Sequence, residues 1–354
     1  MKPPFRMIDL FAGCGGLTSG FVRTGAFHPV GAVELDPDAA ASYAVNFGEH
    51  VFVGDIADWL AGSVPFADVV VGGPPCQGFS SLGRRDPNDP RSALWDQYVE
   101  ALVRIRPAFF VLENVPQFLR SPQYAALKNE TGPGGRLTSW ELEPYVLNAS
   151  HYGVAQARRR AVVIGRRSDL DEVGPPPGST PQLTLSDVLR APDNVVEPAV
   201  TEVQLPESSV EVNGMQMPGT YKMVDLHLTR TVTELSRRRF ECIPTGGNRH
   251  DLPDELKTPC WRSHTTGSGD VMGRLVWNKP SVTIRTEFFK PEKGRYLHPE
   301  EHRPITHYEA ALIQGFPEDF LWCGTKVSIA QQIGNAVPPP MARAIADHLL
   351  ARLL

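Results

Sequence analysis

Cysteines and long hydrophobic runs are scarce in this sequence. Five cysteines are spread over 354 residues without a Cys-x-x-Cys pair: Cys14, Cys76, Cys242, Cys260 and Cys323. This odd number in a long chain indicates neither a disulfide framework nor a four-cysteine zinc site, and it favours a reducing cytosol. The longest apolar stretches, such as residues 67–72, are far shorter than the roughly 20 residues of a membrane span. We therefore expect a cytoplasmic protein with neither a membrane span nor a secretory signal.

Positive charge is not in excess over the whole chain, which has 35 Lys and Arg against 40 Asp and Glu and a net charge of −5 at pH 7. A total of this sign argues against a nucleic-acid partner. Between Leu226 and Arg295, however, thirteen basic residues stand against eight acidic ones, a local charge of +5 that leaves −10 elsewhere. The basic charge is therefore concentrated in one segment. A hydrophobic content of 41% excludes disorder as the main state.

Short apolar runs alternate with helical patterns over the first 170 residues, as a doubly wound, mostly parallel α/β sheet requires. Asp36 followed by Pro37 predicts the start of a helix that continues to about Phe47. Another helix is predicted near residues 93–105. The predicted strands lie at about 7–11, 30–35, 51–53, 68–71, 109–112, 145–147 and 161–164.

The alternation breaks at the Gly-Pro-Pro-Pro-Gly sequence of residues 174–178, and turn residues dominate from there to about Pro291. We therefore predict a catalytic and cofactor-binding domain at 1–170, a smaller irregular domain at 171–300 and a returning segment at 301–354. A final helix that Pro340 opens should pack against the first domain through one apolar face, formed by Met341, Ile345, Leu349 and Leu353.

Three features at successive strand ends indicate a nucleoside cofactor. The first strand leads into a glycine-rich turn at residues 12–16, whose backbone N–H groups can surround a small ligand. Glu34 ends the second strand, where an acidic side chain meets a ribose, and Asp55 after the third is suited to an adenine amino group. Each feature alone is more simply a turn or an N-cap residue. The turn lacks the Lys-Ser/Thr of a P-loop, so a triphosphate is not favoured.

The fourth strand leads into Gly-Gly-Pro-Pro-Cys-Gln-Gly-Phe-Ser at residues 72–80, the most informative segment of the chain. Two prolines fix the backbone before Cys76, while glycines leave its sulfur accessible at the carboxyl edge of the sheet. A lone cysteine is usually an inert buried thiol. Here the next strand ends in Glu-Asn-Val at 113–115, so a thiol and a carboxyl are predicted to reach one substrate ring.

These residues resemble a known family, the bacterial-type DNA (cytosine-5)-methyltransferases. The similarity covers nearly the whole first domain and the C-terminus, in the family's unpermuted order. The matching motifs are DLFAGCGGL at 9–17, VELD at 33–36, GD at 54–55, GGPPCQGFS at 72–80, ENV at 113–115, QARRR at 156–160, RPITHYEAALIQGFP at 303–317 and QIGNAVPP at 332–339.

The resemblance implies a Rossmann-like methyltransferase fold, S-adenosylmethionine as methyl donor and S-adenosylhomocysteine as product, with no metal. It also implies that the irregular domain recognises the target. By position, Phe11 lies near the adenine, Glu34 binds the ribose, and Asp55 and Ile56 border the adenine. The other implied pocket residues are Gly13, Gly15, Gly16, Leu17, Leu35, Pro75, Leu94, Asn335 and Ala336.

The same resemblance implies a covalent mechanism on a cytosine flipped out of duplex DNA. The thiolate of Cys76 attacks C6, because cytosine C5 is a poor nucleophile until a group has added at C6. Glu113 stabilises the charged ring at N3, while Arg160, with Arg158 behind it, holds O2 and orients the thiol loop. The base that removes the C5 proton is not identified.

Contacts to DNA phosphates and bases are expected from two regions. The segment 78–94 resembles a loop that closes over flipped DNA, with Ser80, Ser81, Arg84 and Arg85 meeting phosphates. In the recognition segment, Arg237 and Arg239 are candidates for phosphates, and Arg262, Arg274 and Arg285 for base edges. An ordinary solvated surface is the alternative interpretation of the Arg237–Arg239 run. The histidines 298, 302 and 307 lack a companion thiolate or carboxylate arrangement, so a metal site is not favoured.

Because no large regulatory extension precedes the first motif, we expect the partner of a restriction enzyme that acts independently, or a solitary bacterial methylase. A monomer is the family default. Two alternatives remain open: the tRNA-methylating branch of the fold, and a catalytically silent DNA-binding subunit. The first has a different loop after Pro-Cys-Gln, and the second predicts loss of Cys76, Glu113 or the cofactor motif.

Overall fold

The structure is a computed structural model, and it describes residues 4–75, 90–178, 181–190, 204–263 and 269–354. Contacts divide the chain into two compact units. The sheet unit comprises Met1–Tyr152, Arg159–Thr180 and Ala336–Leu354, and the second unit comprises Gly153–Arg158 and Pro181–Asn335. Among the helices in these ranges, none is both long and apolar enough to cross a membrane.

Seven strands form the sheet of the sheet unit. They are β1 (Phe5–Leu10), β2 (Phe27–Glu34), β3 (Val51–Val53), β4 (Val69–Gly72), β5 (Phe109–Asn114), β6 (Trp140–Asn148) and β7 (Arg159–Arg167). Their order across the sheet is β3-β2-β1-β4-β5-β7-β6. The first five run parallel, whereas β7 is antiparallel to both β5 and β6. This topology confirms the predicted doubly wound α/β fold.

Eleven α-helices are found in the described ranges. They are α1 (Gly16–Val22), α2 (Pro37–Phe47), α3 (Ile56–Ala61), α4 (Pro90–Ile105), α5 (Pro122–Thr131), α6 (Leu185–Leu189), α7 (Glu234–Cys242), α8 (Pro259–Ser263), α9 (His307–Gln314), α10 (Lys326–Asn335) and α11 (Pro339–Leu353). The predicted start of α2 is confirmed, because the Asp36 side chain accepts the Ala39 N–H at 3.0 Å with Pro37 at the first helical position.

The last helix, α11, packs against α1 in the sheet unit. Met341, Ile345 and Leu349 are buried, as the apolar periodicity predicted, whereas the fourth predicted residue, Leu353, is only half-buried. Gly20 of α1 permits this close contact, because a Cβ there would lie 2.4 Å from the Cβ of Ala342. The chain end therefore completes the core of the sheet unit.

The contact-based units differ from the predicted boundaries. Residues 301–335 group with the second unit, because α9 is buried throughout and packs against α6 and α10. Only Ala336–Leu354 returns to the sheet unit, and the linker up to Thr180 also stays with it. Residues 153–158 join the second unit, where Gln156 pairs with Ser281. These are long-range contacts that a local composition change does not reveal.

The second unit contains a small antiparallel sheet and a separate apolar cluster. The strands are β8 (Ser209–Val212), β9 (Met215–Tyr221) and β10 (Trp322–Cys323), in the order β10-β9-β8. The cluster is formed by Phe240, Ile243, Leu252, Met272 and Leu297. Most of the remaining backbone is irregular, so its carbonyl groups need hydrogen-bond partners outside a regular ladder.

Candidate active site

Four neighbouring strands of the sheet unit end in register. Leu10 of β1 pairs with Val33 of β2 and with Gly72 of β4, and Gly72 pairs with Leu112 of β5. The residues one step beyond these are Phe11, Glu34, Gly73 and Glu113. They therefore lie along one edge, at the carboxyl ends of parallel strands, where ligands of open α/β sheets bind.

Glu113 and Arg160 form a buried ion pair at this edge. The Arg160 Nε lies 2.8 Å from Glu113 Oε1, and the two side chains are only 13% and 10% exposed. The antiparallel strands β5 and β7 hold them together, since Glu113 pairs with Val162 in the ladder. Glu113 Oε2 faces Gly73, where an added Cβ would lie 3.4 Å away. The carboxyl is thus oriented toward the end of β4.

Asn114 secures the loop that follows β4. Its Nδ2 donates to the Pro74 carbonyl at 2.9 Å, and its Oδ1 accepts the Val115 N–H at 2.9 Å. The side chain is 4% exposed, so the bond to Pro74 is shielded from water. Asn114 therefore fixes the backbone just before Pro75, which is exposed, and Cys76. Cys76 itself lies outside the described residues, as do Ser80, Ser81, Arg84 and Arg85.

Glu34 orients the glycine-rich turn. Its Oε2 accepts the Gly13 N–H at 2.7 Å, and its Oε1 accepts the Asp36 N–H at 2.8 Å. Burial raises the pKa of this carboxyl, while the two backbone donors act in the opposite direction. The bond from Gly13 joins the turn after β1 to the end of β2, so the Glu34 carboxylate holds the predicted cofactor-binding turn in place.

The three glycines of the turn have different surroundings. A Cβ on Gly15 would lie 2.4 Å from the Phe47 ring, and one on Gly16 would lie 2.5 Å from the Val337 carbonyl oxygen. A Cβ on Gly13 would meet nothing within 4 Å, and its φ of +55° favours glycine. Space is therefore open beside Gly13, whose N–H group is held by Glu34, and this arrangement fits a nucleoside cofactor.

The remaining predicted pocket residues of the sheet unit play mixed roles. Asp55 caps α3, because its Oδ1 accepts the Ala57 N–H at 2.8 Å, while Ile56 is buried. Leu35 is 68% exposed, which is unusual for a leucine beside a strand end. Leu94 packs against the main core. Phe11, with a φ of 58°, also contacts this core. Leu17 is buried, and Ala336 lies close to Gly16.

Asp9 is a buried acid that the sequence did not single out. Its Oδ2 accepts the Thr18 hydroxyl at 2.7 Å, and Thr18 is linked in turn to the Tyr43 hydroxyl at 3.3 Å. Its Oδ1 has no hydrogen-bond partner among the described residues. Burial raises the pKa of Asp9 to about 7. Only its position, three residues before the glycine-rich turn, could have indicated it.

Arg158 and Gln156 organise the backbone of the second unit. Arg158 is 1% exposed and donates from Nη1 to the Ile284 carbonyl at 2.8 Å and from Nη2 to the Gly334 carbonyl at 2.9 Å. The Gln156 Oε1 accepts the Ile284 N–H at 2.8 Å. Arg158 thus holds the end of α10, where Asn335 is located, and its guanidinium is a positioning group. From the sequence, Gln156 was identified only as part of the QARRR motif, and no role was predicted for its side chain.

The structure contradicts the predicted contact of Arg274 with DNA bases. It is 3% exposed, and its guanidinium donates to four carbonyl groups, those of Phe240, Ile243, His298 and Glu301, at 2.6 to 2.8 Å. Burial lowers its pKa. The prediction is wrong for this residue, because its donors satisfy the end of α7 and an adjacent turn.

The other arginines of the second unit that were predicted to contact DNA differ in exposure and in the partners of their guanidinium groups. Arg237 is exposed but pairs with Glu234 at 2.6 Å. Arg239 donates to the Leu256 carbonyl at 2.8 Å. Arg262 is exposed, and its one bond to a described residue is to the Asp254 carbonyl at 2.9 Å. Arg285 is exposed, and its Nε lies 3.1 Å from the Tyr296 hydroxyl. Arg262 and Arg285 thus keep donors that can face a ligand.

The histidines considered as metal ligands have other partners. His298 Nδ1 accepts the N–H groups of Glu300 and Glu301 at 3.3 and 3.0 Å. His307 Nε2 donates to the Lys326 carbonyl at 3.0 Å, and burial lowers its pKa to about 4. Across the ranges that the structure describes, no group of three or more His, Cys, Asp or Glu side chains is arranged to hold a metal ion.

The fold is that of an open α/β sheet with acids at its ligand-binding edge, and comparison with known proteins specifies the family. The sequence profile of the C-5 cytosine-specific DNA methylases matches residues 5–351. The chain therefore belongs to this family of DNA (cytosine-5)-methyltransferases, which confirms the predicted family and enzyme class.

Two curated relatives and one solved structure illustrate the similarity. The type II methyltransferase M1.HphI of Haemophilus parahaemolyticus is 33% identical over 97% of this chain and 86% of its own length. M.DdeI of Desulfomicrobium norvegicum is 30% identical over 97% and 88%. A prophage-encoded E. coli protein described as a DNA modification methyltransferase has a TM-score of 0.72 at 23% identity, covering 99% of each chain. This structural match supports the fold alone.

Proposed function

We propose that this protein uses Cys76 to methylate C5 of a cytosine flipped out of a short, specific duplex sequence. The observation that carries the proposal is the Glu113–Arg160 pair at the edge of the sheet, one strand from the loop that leads to Cys76. A carboxyl and a guanidinium at this point are suited to N3 and O2 of one pyrimidine. The type II relatives support a role in restriction and modification.

The proposed chemistry begins with addition of the Cys76 thiolate to C6, which places negative charge on the ring. Glu113 shares a proton with N3 and so stabilises this charge, while Arg160 holds Glu113 and donates toward O2. After C5 gains the methyl group, loss of the C5 proton and elimination of the thiolate restore the aromatic ring. Asn114 contributes by fixing Pro74, and hence the start of the thiol loop.

S-adenosylmethionine is the proposed cofactor, and its sulfonium supplies the methyl group when bound. Glu34 is suited to the ribose, and the space beside Gly13 admits the ligand close to the backbone. Phe11, Leu35, Asp55 and Ile56 border the same strand ends. The remaining implied pocket residues, Gly15, Gly16, Leu17, Pro75, Leu94, Asn335 and Ala336, stay predictions, as does the absence of a metal.

Double-stranded DNA is the proposed substrate, contacted by Ser80, Ser81, Arg84, Arg85, Arg262 and Arg285. Among the described candidates, Arg285 is favoured, because both backbone groups of its neighbour Ile284 are held by Gln156 and Arg158. A fixed backbone presents the guanidinium in one direction. We further propose a monomer in the bacterial cytosol, whose cognate endonuclease acts independently.

Bisulfite sequencing of a plasmid that carries many short sequences tests this function. Expression of the wild type should protect cytosines in one short context, and expression of Cys76→Ala should protect none. Cys242→Ala is the matched control, because Cys242 is an exposed free cysteine at the end of α7, and it should retain the protection. Absence of protected cytosines with folded wild-type protein that binds S-adenosylmethionine would refute the DNA reaction and direct the test to tRNA.

A further inference from the structure

Helix α7 is fixed in the second unit at both ends. Thr233 caps its start, with Oγ1 accepting the Ser236 N–H at 3.2 Å. Phe240 is fully buried in the apolar cluster, and Arg274 donates to the Phe240 carbonyl at 2.6 Å. The helix therefore cannot rotate freely about its axis. Each of its three consecutive arginines, residues 237 to 239, is presented in a defined direction.

The first of these arginines is engaged with the acidic residues of the same helix. Arg237 Nη2 lies 2.6 Å from the Glu234 carboxylate, and its Nε lies 4.0 Å from Glu241. Both acids are spaced for such contacts at one turn on either side. Arg237 is therefore engaged by acidic side chains of its own helix.

The third arginine is directed at its own unit. Arg239 Nε donates to the Leu256 carbonyl at 2.8 Å, and its guanidinium carbon lies 5.3 Å from the centre of the Trp261 ring. The side chain is half-buried. Arg239 is thus partly engaged within its own unit and is less exposed than its two neighbours.

Arg238 differs from both neighbours. It is exposed, and within the described part of the chain its guanidinium has neither a hydrogen-bond nor an ion-pair partner. Two residues of helix correspond to about 200° of rotation, so Arg238 is directed away from the buried Phe240. Among the described basic side chains of residues 226–295, Lys279 alone shares this lack of partners.

We infer that Arg238, in place of the predicted Arg237 and Arg239, binds a backbone phosphate of duplex DNA independently of sequence. The inference rests on the proposed DNA substrate. A guanidinium suits this role, because its planar fork pairs with two phosphate oxygens at once. Its donors are uncommitted in the free protein, so binding breaks no internal contact. The helix supplies a rigid support, since its ends are fixed by Thr233 and Arg274.

Salt dependence of DNA binding tests this inference with the full chain and no cofactor. Fluorescence anisotropy is recorded with a labelled duplex of random sequence between about 50 and 200 mM salt. Each phosphate neutralised contributes about 0.9 to the slope of log K against log salt. Arg238→Gln should therefore lower the slope by about 0.9 relative to the wild type. Arg238→Lys should retain the slope, because it retains the charge.

Arg237→Gln is the matched control, since it removes the same charge from the adjacent position of the helix. It should leave the slope unchanged, and unaltered melting temperatures would show that the variants are folded. A slope for Arg238→Gln equal to that of a wild type that binds DNA would refute the inference alone. Loss of slope in Arg237→Gln but not in Arg238→Gln would refute it too. A wild type that does not bind the duplex would overturn the proposed function together with the inference.

Discussion

The sheet unit and the second unit use charged side chains in opposite ways. At the sheet edge, Glu34 accepts backbone N–H groups and Glu113 pairs with Arg160. Both acids lie at the carboxyl ends of regular strands, where a ligand is expected to bind. In the second unit, Arg158, Arg274 and Arg295 donate mainly to backbone carbonyl groups. Regular strands satisfy their own backbone groups, whereas irregular chain needs side-chain donors. Many arginines of a basic segment can therefore serve to bind the protein's own backbone carbonyl groups rather than an external ligand.

The largest effect should come from the acid at the sheet edge. Glu113→Gln removes the group proposed to share a proton with N3, and it should lower the methylation rate by about 10²- to 10⁴-fold. Single-turnover incorporation of methyl groups into DNA measures this loss.

The matched control is Glu143→Gln. Glu143 also forms a buried pair in the sheet unit, with Arg166 at 2.8 Å, but it lies within β6 rather than at the edge. This variant should keep the wild-type rate per folded molecule. Equal losses in the two variants would mean that Glu113 has only a structural role.

The second effect concerns the internal arginines of the second unit. Arg274→Met leaves four carbonyl groups without this donor, three of them in buried hydrogen bonds, and it should destabilise the protein by about 2–5 kcal/mol. Denaturant unfolding measures this change.

Arg262→Met provides the comparison, because Arg262 is exposed and makes a single bond within the described ranges. It should change the stability by less than about 0.5 kcal/mol. A stable Arg274→Met variant with weakened DNA binding would restore the original prediction of a DNA contact.

Acid should destabilise the second unit through His307. Burial holds its pKa near 4, below the ordinary value of 6.5, so the unfolded state binds the extra proton first. Stability is complete above about pH 6.5 and is lost as the pH falls toward 4, by about 3 kcal/mol for this group. The pH dependence of unfolding should be shallower in His307→Asn. The same slope in both proteins would contradict the assignment.

The buried acid of the sheet unit should act with the opposite sign. Because burial raises the pKa of Asp9 from 3.8 to about 7, the folded state holds its proton longer than the unfolded state. The contribution to stability is present below about pH 4 and declines as the pH rises toward 7, by about 2 kcal/mol between pH 5 and 7. Asp9→Asn should remove this decline from the unfolding profile. A decline that persists in the variant would assign it to other groups.

The sheet unit was predictable because its signals are local. Apolar runs bounded by turn residues identified all seven strands approximately, and the cap of α2 and the apolar face of α11 followed from short-range patterns. The antiparallel direction of β7 was not specified, since a strand pattern is the same in either direction. The motif acids Glu34 and Glu113 were each predicted at the end of a strand, and strand ends of a parallel sheet lie along one edge.

The second unit was less predictable, since its structure depends on contacts between residues far apart in sequence. Charge alone does not distinguish an arginine that binds carbonyl groups from one that faces solvent, as Arg274 and Arg238 illustrate. The unit boundaries depend on the pairing of Gln156 with Ser281 and on the burial of α9. Neither leaves a local pattern in the sequence.

Covalent trapping tests the central claim most directly. A duplex with 5-fluorocytosine at the methylated position blocks the elimination step, because fluorine cannot leave as a proton does. With S-adenosylmethionine, the wild type should form a complex with this duplex that survives denaturing electrophoresis, and peptide mapping should locate the link at Cys76. Cys76→Ala should form none. A folded wild type that binds the duplex and methylates unmodified DNA, yet forms no such complex, would contradict the covalent mechanism.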